Sequence, residues 1–405
     1  MCISCTATPE EGVNDNGVIE ELDDEVAIDD EDEEAVEASF EVTSLEVFPT
    51  EVVEGTPALI KATISNVGTA DGYYTVVLEA NDIVKEEIDI FISAESSETV
   101  TFELIEKIAG IYTLSIGEQT IKLKTTGSGL LNQNLAQLES SDGKIVDLEP
   151  FKIDSPFQEN VEIFRMRYLS DDLQVVGFIV KPKTNDIQYP VIIFNRGGNR
   201  EFGKIDTPGL TYLSYLADQG YVIIASQYRG NDGGQGKEEF GGSDVNDVLN
   251  LIPLARSLDF TMPDKIGMLG FSRGGMMTYI AISKTDDINA AAVVGGVTDC
   301  IQGYNEREDM RYVYRELIGG SPTQKEAEFK KRSAYFWPEK INTPVLILHG
   351  EDDWRVNVTQ AQKLGDKLNE LGKTYELITY PGGDHGLNKT DRDTRILNWF
   401  MNYLR

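Results

Sequence analysis

Histidine and cysteine are both scarce in this chain of 405 residues. It contains two histidines, His349 and His385, and three cysteines, Cys2, Cys5 and Cys300. A zinc centre needs three or four such ligands, and one Cys-x-x-Cys pair supplies half of a site. Cys300 has no second cysteine in its own domain, so we expect no disulfide in the folded body. We therefore expect no metal and no cofactor.

Basic residues are absent from the first 60 positions, where 19 residues are acidic and Lys61 is the first base. The run "EELDDEVAIDDEDEEAVEASFE" has too few apolar residues to fold alone, so residues 1–39 are predicted to be an acidic, disordered tether. The alternative is a calcium-binding or partner-binding tail. The chain carries a formal charge of −33 and no cluster of Lys and Arg. This excludes binding to nucleic acid, which requires such a cluster.

Long apolar segments are also missing. No run reaches the length of about 18 residues that a membrane-spanning helix needs, and "MCISCTATPEEG" has no basic start or apolar core of a signal peptide. A cysteine followed by a polar tether is, however, typical of a bacterial lipoprotein just after its cleavage site. We therefore predict an extracytoplasmic protein that contacts a membrane only through a lipid on an N-terminal cysteine. The alternative is a cytoplasmic protein with an incidental Cys-x-x-Cys.

Residues 40–125 consist of short β-rich runs, separated by Gly, Asn, Pro or Ser at intervals of about 8 to 12 residues, which predicts an immunoglobulin-like β-sandwich. The stretch "ATISNVGTADGYYTVVL" resembles the adhesion-related CARDB modules. That resemblance implies a spacer, or a contact with a cell surface or a polymer. Residues 126–150 are predicted to be a linker.

From residue 151 to residue 405, apolar strands alternate with amphipathic helices. "NVEIFRMRYL" and "LQVVGFIVKP" predict an opening antiparallel pair, and runs such as "PVIIFNRGG" and "PVLILHG" predict buried parallel strands. The fold class is therefore α/β, with a mainly parallel, doubly wound sheet covered on both faces. Ligands of such sheets bind beyond the carboxyl ends of the strands. We expect residues 305–335 to shape the substrate pocket there.

A candidate nucleophile occupies one of these strand ends. Gly270-Phe271-Ser272-Arg273-Gly274 fits the pattern G-x-S-x-G, after the strand "KIGMLGFS" and before the helix "GGMMTYIAISK". This is the context of a nucleophile elbow, in which a sharp turn exposes a serine. The backbone N–H of Arg273 would then face the developing oxyanion.

A serine nucleophile needs a base and an acid that orients the base. His385, in the loop "YPGGDHGLNK", is the candidate base, whereas His349 is interpreted as a histidine that packs within a loop. "HGEDDWRV" supplies Glu351, Asp352 and Asp353 as candidate acids at the end of the penultimate strand. The resulting chain order, serine, acid and then histidine, is that of α/β-hydrolases.

Residues from about 160 to 405 resemble the catalytic domain of the prolyl oligopeptidase (S9) family and its dienelactone-hydrolase-like relatives. The matching pieces are "YRGNDGGQGKEEFGGSDVNDV", "GFSRGGMM", "LHGEDDWRVNVTQA" and "YPGGDHG". In that family the acid precedes x-x-Val, which implies Asp353. The resemblance also implies that Arg355 binds a substrate carbonyl, the alternative being a salt bridge near the loop. "YRGNDGGQGK" lacks the ending of a Walker A motif, and the resemblance makes it a structural segment.

Two features depart from the family pattern. The loop "FNRGGN" has Arg196 where the family offers a tyrosine hydroxyl or His-Gly-Gly to the oxyanion. Either the backbone of Arg196 and Gly197 donates, or the Arg196 guanidinium faces a substrate carboxylate, or this arginine is structural. The residues before Phe151 are too few for the β-propeller of prolyl oligopeptidases. Peptidase specificity is therefore not implied directly.

These patterns predict a serine hydrolase that works by acyl transfer. Ser272 attacks a carbonyl, His385 moves the proton, and Asp353 orients His385. The leading prediction is an S9-like serine peptidase that acts on short peptides, and a carboxylesterase that acts on small esters is the alternative with the same machinery. A surface binding protein that has lost activity is the alternative from a different class.

Overall fold

The computed structural model describes residues 37–53, 55–106, 110–126, 133–183 and 187–405. Cys2, Cys5 and nearly all of the predicted acidic tether lie outside the described residues. The predictions of a lipid anchor and of a calcium-binding or partner-binding tail therefore concern positions outside the described residues.

The first folded unit is a β-sandwich. Its alternating strands place one row of side chains in a shared interior, which contains Ile60, Val76, Phe102 and Leu114. A three-stranded sheet has the order β1-β3-β6, and a five-stranded sheet has the order β2-β8-β7-β4-β5. The strands are β1 (Phe40–Phe48), β2 (Glu51–Val53), β3 (Pro57–Asn66), β4 (Gly72–Ala80), β5 (Ile83–Ile92), β6 (Ser97–Ile105), β7 (Gly110–Ile116) and β8 (Gln119–Thr126). The predicted sandwich is confirmed.

The second unit contains a nine-stranded sheet of order β17-β16-β15-β14-β12-β13-β11-β10-β9. Strands β12 to β17 pair in parallel, and β9, β10 and β11 pair antiparallel at one edge. The strands are β9 (Ile145–Pro150), β10 (Val161–Ser170), β11 (Leu173–Pro182), β12 (Tyr189–Asn195), β13 (Val222–Ser226), β14 (Thr261–Phe271), β15 (Ala290–Val294), β16 (Val345–Gly350) and β17 (Tyr375–Tyr380). The predicted α/β fold, with its opening antiparallel pair, is confirmed.

Helices cover both faces of this sheet, because two separate apolar clusters lie on its opposite sides. None of the helices in the described ranges combines the length and apolar character that a membrane crossing requires. The α-helices are α1 (Thr207–Asp218), α2 (Asn246–Leu249), α3 (Leu251–Ser257), α4 (Arg273–Ile282), α5 (Cys300–Glu306), α6 (Arg311–Ile318), α7 (Glu326–Lys331), α8 (Thr359–Glu370) and α9 (Arg392–Leu404).

The predicted linker 126–150 is partly wrong, because its last residues form β9. This strand pairs with β10 in the register Phe164↔Pro150 to Arg167↔Asp147, and Ile145 and Leu148 are buried in the core of the second unit. Only two of its six side chains are buried, a weak pattern typical of an edge strand. The second unit therefore begins before residue 151.

The strand order places a switch point at β12. The chain goes from β12 to β13 on one side and returns to β14 on the other side. In open α/β sheets the crevice beyond such a point is the usual ligand site. The loop that begins with Arg196 follows β12, and Ser272 follows β14.

Candidate active site

Ser272 lies on a sharp turn between β14 and α4. Its backbone has φ 56° and ψ −120°, a combination that is strained for a residue other than glycine and persists only where the surroundings impose it. The Ser272 N–H donates to Val294 O (2.9 Å), and the Gly275 N–H donates to Ser272 O (2.9 Å). A Cβ atom at Gly274 would overlap the carbonyl oxygen of Asn195. The backbone at β12 and β15 therefore fixes the turn.

His385 lies in the loop between β17 and α9, half-buried, and its Nδ1 is 2.7 Å from Asp353 Oδ2. A carboxylate oxygen only accepts, so Nδ1 carries the hydrogen. Nε2 of the neutral ring is then left with a lone pair, which is the state that a general base requires.

Asp353 is buried and fully bonded. Its Oδ1 accepts from the N–H groups of Arg355 (2.8 Å) and Val356 (3.0 Å). Its Oδ2 faces His385 and also His349, whose Nε2 is 3.3 Å away. Burial acts to raise the pKa of Asp353, but the hydrogen bonds from the two histidines outweigh it and hold the pKa well below its usual range. Asp353 is therefore ionised at neutral pH.

The two other candidate acids lie elsewhere. The Glu351 carboxylate is exposed and accepts from the Thr379 hydroxyl at 2.8 Å. Asp352 is exposed as well. Of the three acids in "HGEDDWRV", Asp353 is thus the one that the fold brings to His385.

Gly295, the residue after β15, lies between the nucleophile and the other two groups. It has φ 55°, and a Cβ atom there would lie 3.1 Å from His385 Nδ1 and 3.2 Å from Asp353 Oδ2. Its neighbour Val294 holds the backbone of Ser272. No hydrogen bond joins the Ser272 hydroxyl to His385 within the described ranges. Such bonds are often long without substrate and tighten in the complex.

Two backbone N–H groups lie beside Ser272. Arg273 is the first residue of α4, and the first N–H groups of a helix have no partner within it. A Cβ atom at Gly197 would lie 3.3 Å from Ser272 Cβ, so the loop after β12 passes close to the nucleophile. This arrangement fits an oxyanion hole at the helix N-terminus.

The Arg196 side chain does not face the substrate cavity. It is 1% exposed, its Nε and one terminal nitrogen donate to Gln227 O (3.1 and 2.9 Å), and its guanidinium stacks on Tyr228 at 5.0 Å. Burial and the nearby charge of Arg273 lower the pKa of Arg196 to about 10. The interpretation in which this guanidinium binds a substrate carboxylate is therefore wrong, and Arg196 is structural.

The Arg273 side chain points away from the nucleophile into a buried network. It bonds Glu238 at 3.0 Å and Asp244 at 2.6 Å, and it stacks on Tyr228 and Phe240. Burial acts to lower the pKa of Arg273, but the two carboxylates raise it overall. Its partners belong to the segment that "YRGNDGGQGKEEFGGSD" encodes, so that segment is structural, as the sequence predicts.

A cavity of about 410 Å³ opens beside Ser272. Its apolar wall contains Phe240, Val297, Met310, Val313 and Tyr314, and its charged lining contains Arg200, Arg307, Asp309 and Arg355. Several of these residues come from 305–335, as predicted. The Arg355 side chain is exposed and stacks on Trp354 at 5.1 Å. No salt bridge involves it within the described ranges, so the salt-bridge interpretation has no support.

Sequence reasoning missed two supporting residues. His349 is fully buried, and its Nε2 lies 2.8 Å from Val356 O in addition to its contact with Asp353. The Arg392 side chain donates to Gly386 O, next to His385, and stacks on Phe271 at 5.2 Å. The short spacing of His349 and Asp353, at the end of one strand, was a usable signal. For Arg392 the sequence offers none.

Within the described ranges, no group of three His, Cys, Asp or Glu side chains is placed to hold a metal ion. Cys300 is buried and has no disulfide partner there. Burial, above all, raises the pKa of Cys300 to about 12. The thiol is therefore not a nucleophile.

A sequence model of the prolyl oligopeptidase family matches residues 210–405. The uncharacterized peptidase YtmA of Bacillus subtilis is 35% identical over 239 residues, which cover 59% of this chain and 91% of YtmA. The chain belongs to the prolyl oligopeptidase family. As a member of this family it is a serine hydrolase with the α/β-hydrolase fold.

Longer relatives match over part of their own length. Dipeptidyl-peptidase 5 of Porphyromonas gingivalis is 28% identical, and the match covers 53% of this chain and 33% of that protein. The solved structure of Pyrococcus horikoshii acylaminoacyl peptidase superposes with a TM-score of 0.53 at 20% identity, over 89% of this chain and 63% of that chain. This likeness shows the fold. The chain thus spans most of YtmA but only a third of dipeptidyl-peptidase 5.

Proposed function

We propose that this protein is a serine peptidase that cleaves short peptides through Ser272, His385 and Asp353. The observation that carries the proposal is the bond from His385 Nδ1 to the buried Asp353 carboxylate, next to a serine on a strained turn. Family membership supports the reaction class. The names of the relatives, several of them peptidases, support the substrate class.

The proposed reaction begins when the Ser272 hydroxyl attacks the scissile carbonyl and its proton moves to His385 Nε2. The resulting oxyanion is held by the N–H groups of Arg273 and Gly197. His385 then protonates the leaving amine, and the acyl group stays on Ser272. A water molecule, deprotonated by His385, attacks this ester and releases the acid. Asp353 remains ionised and stabilises the imidazolium in both steps.

The size of the cavity supports small substrates. A volume of about 410 Å³ lies at the lower end of the range of small-molecule sites, and it admits one or two side chains rather than a folded protein. The same machinery also cleaves esters, so a carboxylesterase acting on small esters remains the alternative function.

Labelling with a fluorophosphonate probe tests the proposal directly. The wild-type protein should be labelled at one site, and Ser272→Ala and His385→Ala should not be labelled. Short p-nitroanilide peptides and p-nitrophenyl esters then separate the two functions by the ratio of their kcat/KM values. A wild-type protein that is folded but unlabelled would contradict the proposal and favour the inactive binding protein.

We also propose that the β-sandwich, which resembles CARDB modules in its sequence, contacts a cell surface or a polymer. Tyr73 and Phe91 support this proposal: they form an exposed cross-strand pair with ring centroids 5.1 Å apart. Binding of the full chain to cell-wall or polysaccharide particles, compared with Tyr73→Ser, tests the contact.

An extracytoplasmic location with a lipid on an N-terminal cysteine is part of the same proposal. Detergent partitioning of wild type and of a variant with Ser at positions 2 and 5 tests it.

A further inference from the structure

The charged part of the cavity lining is mostly cationic, although the protein as a whole is strongly acidic. Arg200, Arg273, Arg307 and Arg355 line the cavity beside Ser272, and among the described residues Asp309 is the one carboxylate in its lining. The charge of this lining is therefore opposite in sign to the formal charge of the whole chain, which is −33. Which substrate charge the cavity attracts therefore depends on which of these lining charges already have an ionic partner.

Three of the four arginines are already neutralised, and Arg273 is one of them because it bonds Glu238 and Asp244. Arg200 bonds Glu316 at 2.8 Å and stacks on Tyr312. Arg307 forms a forked pair with Asp309, in which both carboxylate oxygens accept. This pairing also uses Asp309, so the lining offers no unpaired carboxylate to a substrate.

Arg355 is the remaining cation of the lining among the described residues, and its backbone is held in place. Two guanidinium groups contact the indole ring of Trp354, that of Arg307 at 4.8 Å and that of Arg355 at 5.1 Å from the ring centroid. The Arg307 guanidinium also donates to Arg355 O (3.0 Å), and the Arg355 N–H donates to Asp353 (2.8 Å). One arginine and the catalytic carboxylate therefore hold the Arg355 backbone beside the reacting centre, and the stack on Trp354 orients its exposed guanidinium.

We propose that the preferred substrates carry a carboxylate close to the scissile bond, which Arg355 binds, and that a free α-ammonium group there is disfavoured. Guanidinium groups pair with carboxylates through two parallel hydrogen bonds. An ammonium group would meet this unpaired cation and find no free carboxylate in the lining. This selectivity rests on the proposed function, because it concerns substrates cleaved by Ser272.

Three p-nitroanilides with the same Ala-Ala peptide test the inference: N-succinyl, N-acetyl and unblocked. For the full chain we expect kcat/KM for the succinyl substrate to exceed that for the acetyl substrate by about tenfold, a modest value for an exposed charge-assisted bond. The unblocked peptide should fall below the acetyl substrate. The preference should shrink as salt is added, because exposed charges are screened.

Variants separate Arg355 from the general field of the protein. Arg355→Gln should reduce the succinyl-to-acetyl ratio to about one, Arg355→Lys should keep part of it, and Arg256→Gln, at an exposed pair away from the cavity, should leave it unchanged. Equal ratios in wild type and Arg355→Gln would overturn the inference. A protein that does not react with the fluorophosphonate would instead mean that the proposed function has failed.

Discussion

Replacing the buried Arg273 with methionine should destabilise the protein strongly. The variant keeps the backbone N–H beside Ser272 but removes the cation that joins Glu238 and Asp244. Breaking a buried ion pair by removal of one partner costs about 3–5 kcal/mol. Both carboxylates keep other donors, Arg200 N to Glu238 (2.7 Å) and Gly241 N to Asp244 (2.9 Å). These donors limit the loss, so we expect about 4 kcal/mol.

The loss should depend on pH in a definite direction. Burial acts to raise the pKa of Glu238, but the charge of Arg273 and hydrogen bonds from Arg200 and Asn231 lower it overall. In the wild type, the stability that Glu238 gains from its charged partner and its hydrogen bonds is fully present above the ordinary carboxyl pKa of 4.5. This stability is lost as the pH falls through the lowered pKa of Glu238 in the folded protein. Without Arg273 the pKa of Glu238 in the folded protein rises, so protonation of this carboxylate at lower pH stabilises the variant. The difference in stability should therefore shrink from pH 7 to pH 4.

Urea unfolding of both proteins at pH 7, 5.5 and 4 measures this difference. Arg256→Met is a matched control, because the Arg256–Asp287 pair is exposed (2.8 Å) and exposed pairs contribute about 1 kcal/mol or less. A loss in Arg273→Met as small as in the control would refute the argument from burial. A loss that stays the same between pH 7 and pH 4 would refute the assignment of the pH dependence to Glu238.

Three further predictions concern the site itself. Asp353→Asn should lower kcat/KM by about 10⁴-fold, as loss of the orienting carboxylate does in other triads, whereas Asp352→Asn should change it less than twofold. Gly274→Ala should abolish fluorophosphonate labelling and lower Tm, because its Cβ would overlap Asn195 O; normal labelling would show that the turn can shift. His349→Phe should reduce the free energy of unfolding by about 1–3 kcal/mol, since Val356 O loses its buried donor. Part of its labelling rate should survive, and complete loss would place His349 in the chemistry.

The sequence predicts most of the catalytic unit, since its signals are local. The buried strands before Ser272 and Asp353 are continuous apolar runs, and the glycines around Ser272 indicate a tight turn. The scarcity of histidine made the choice of base nearly unique. These features depend on residues that are neighbours in the chain, so periodicity and spacing reveal them.

What the sequence does not reveal depends on distant pairs. The direction of the Arg196 guanidinium is decided by Gln227 O, 31 residues away, and the anchoring of the His385 loop by Arg392 needs the final helix in place. Strand β9 was missed because an edge strand with few inward side chains resembles a linker. Such contacts follow from how the elements pack, which no local pattern encodes.

Gly295 shows that a triad can depend on a residue with no functional group. Strand β15, which ends at the preceding residue, lies between the serine strand β14 and the acid strand β16. The imidazole therefore meets its carboxylate next to a residue that has no side chain. An alanine there alters none of the reacting groups, but its Cβ would lie 3.1 Å from His385 Nδ1 and 3.2 Å from Asp353 Oδ2 on a backbone with φ 55°, so it should slow the hydrolase by displacing the imidazole or the carboxylate. Such a variant would offer a protein of reduced activity whose nucleophile, base and acid are all still present.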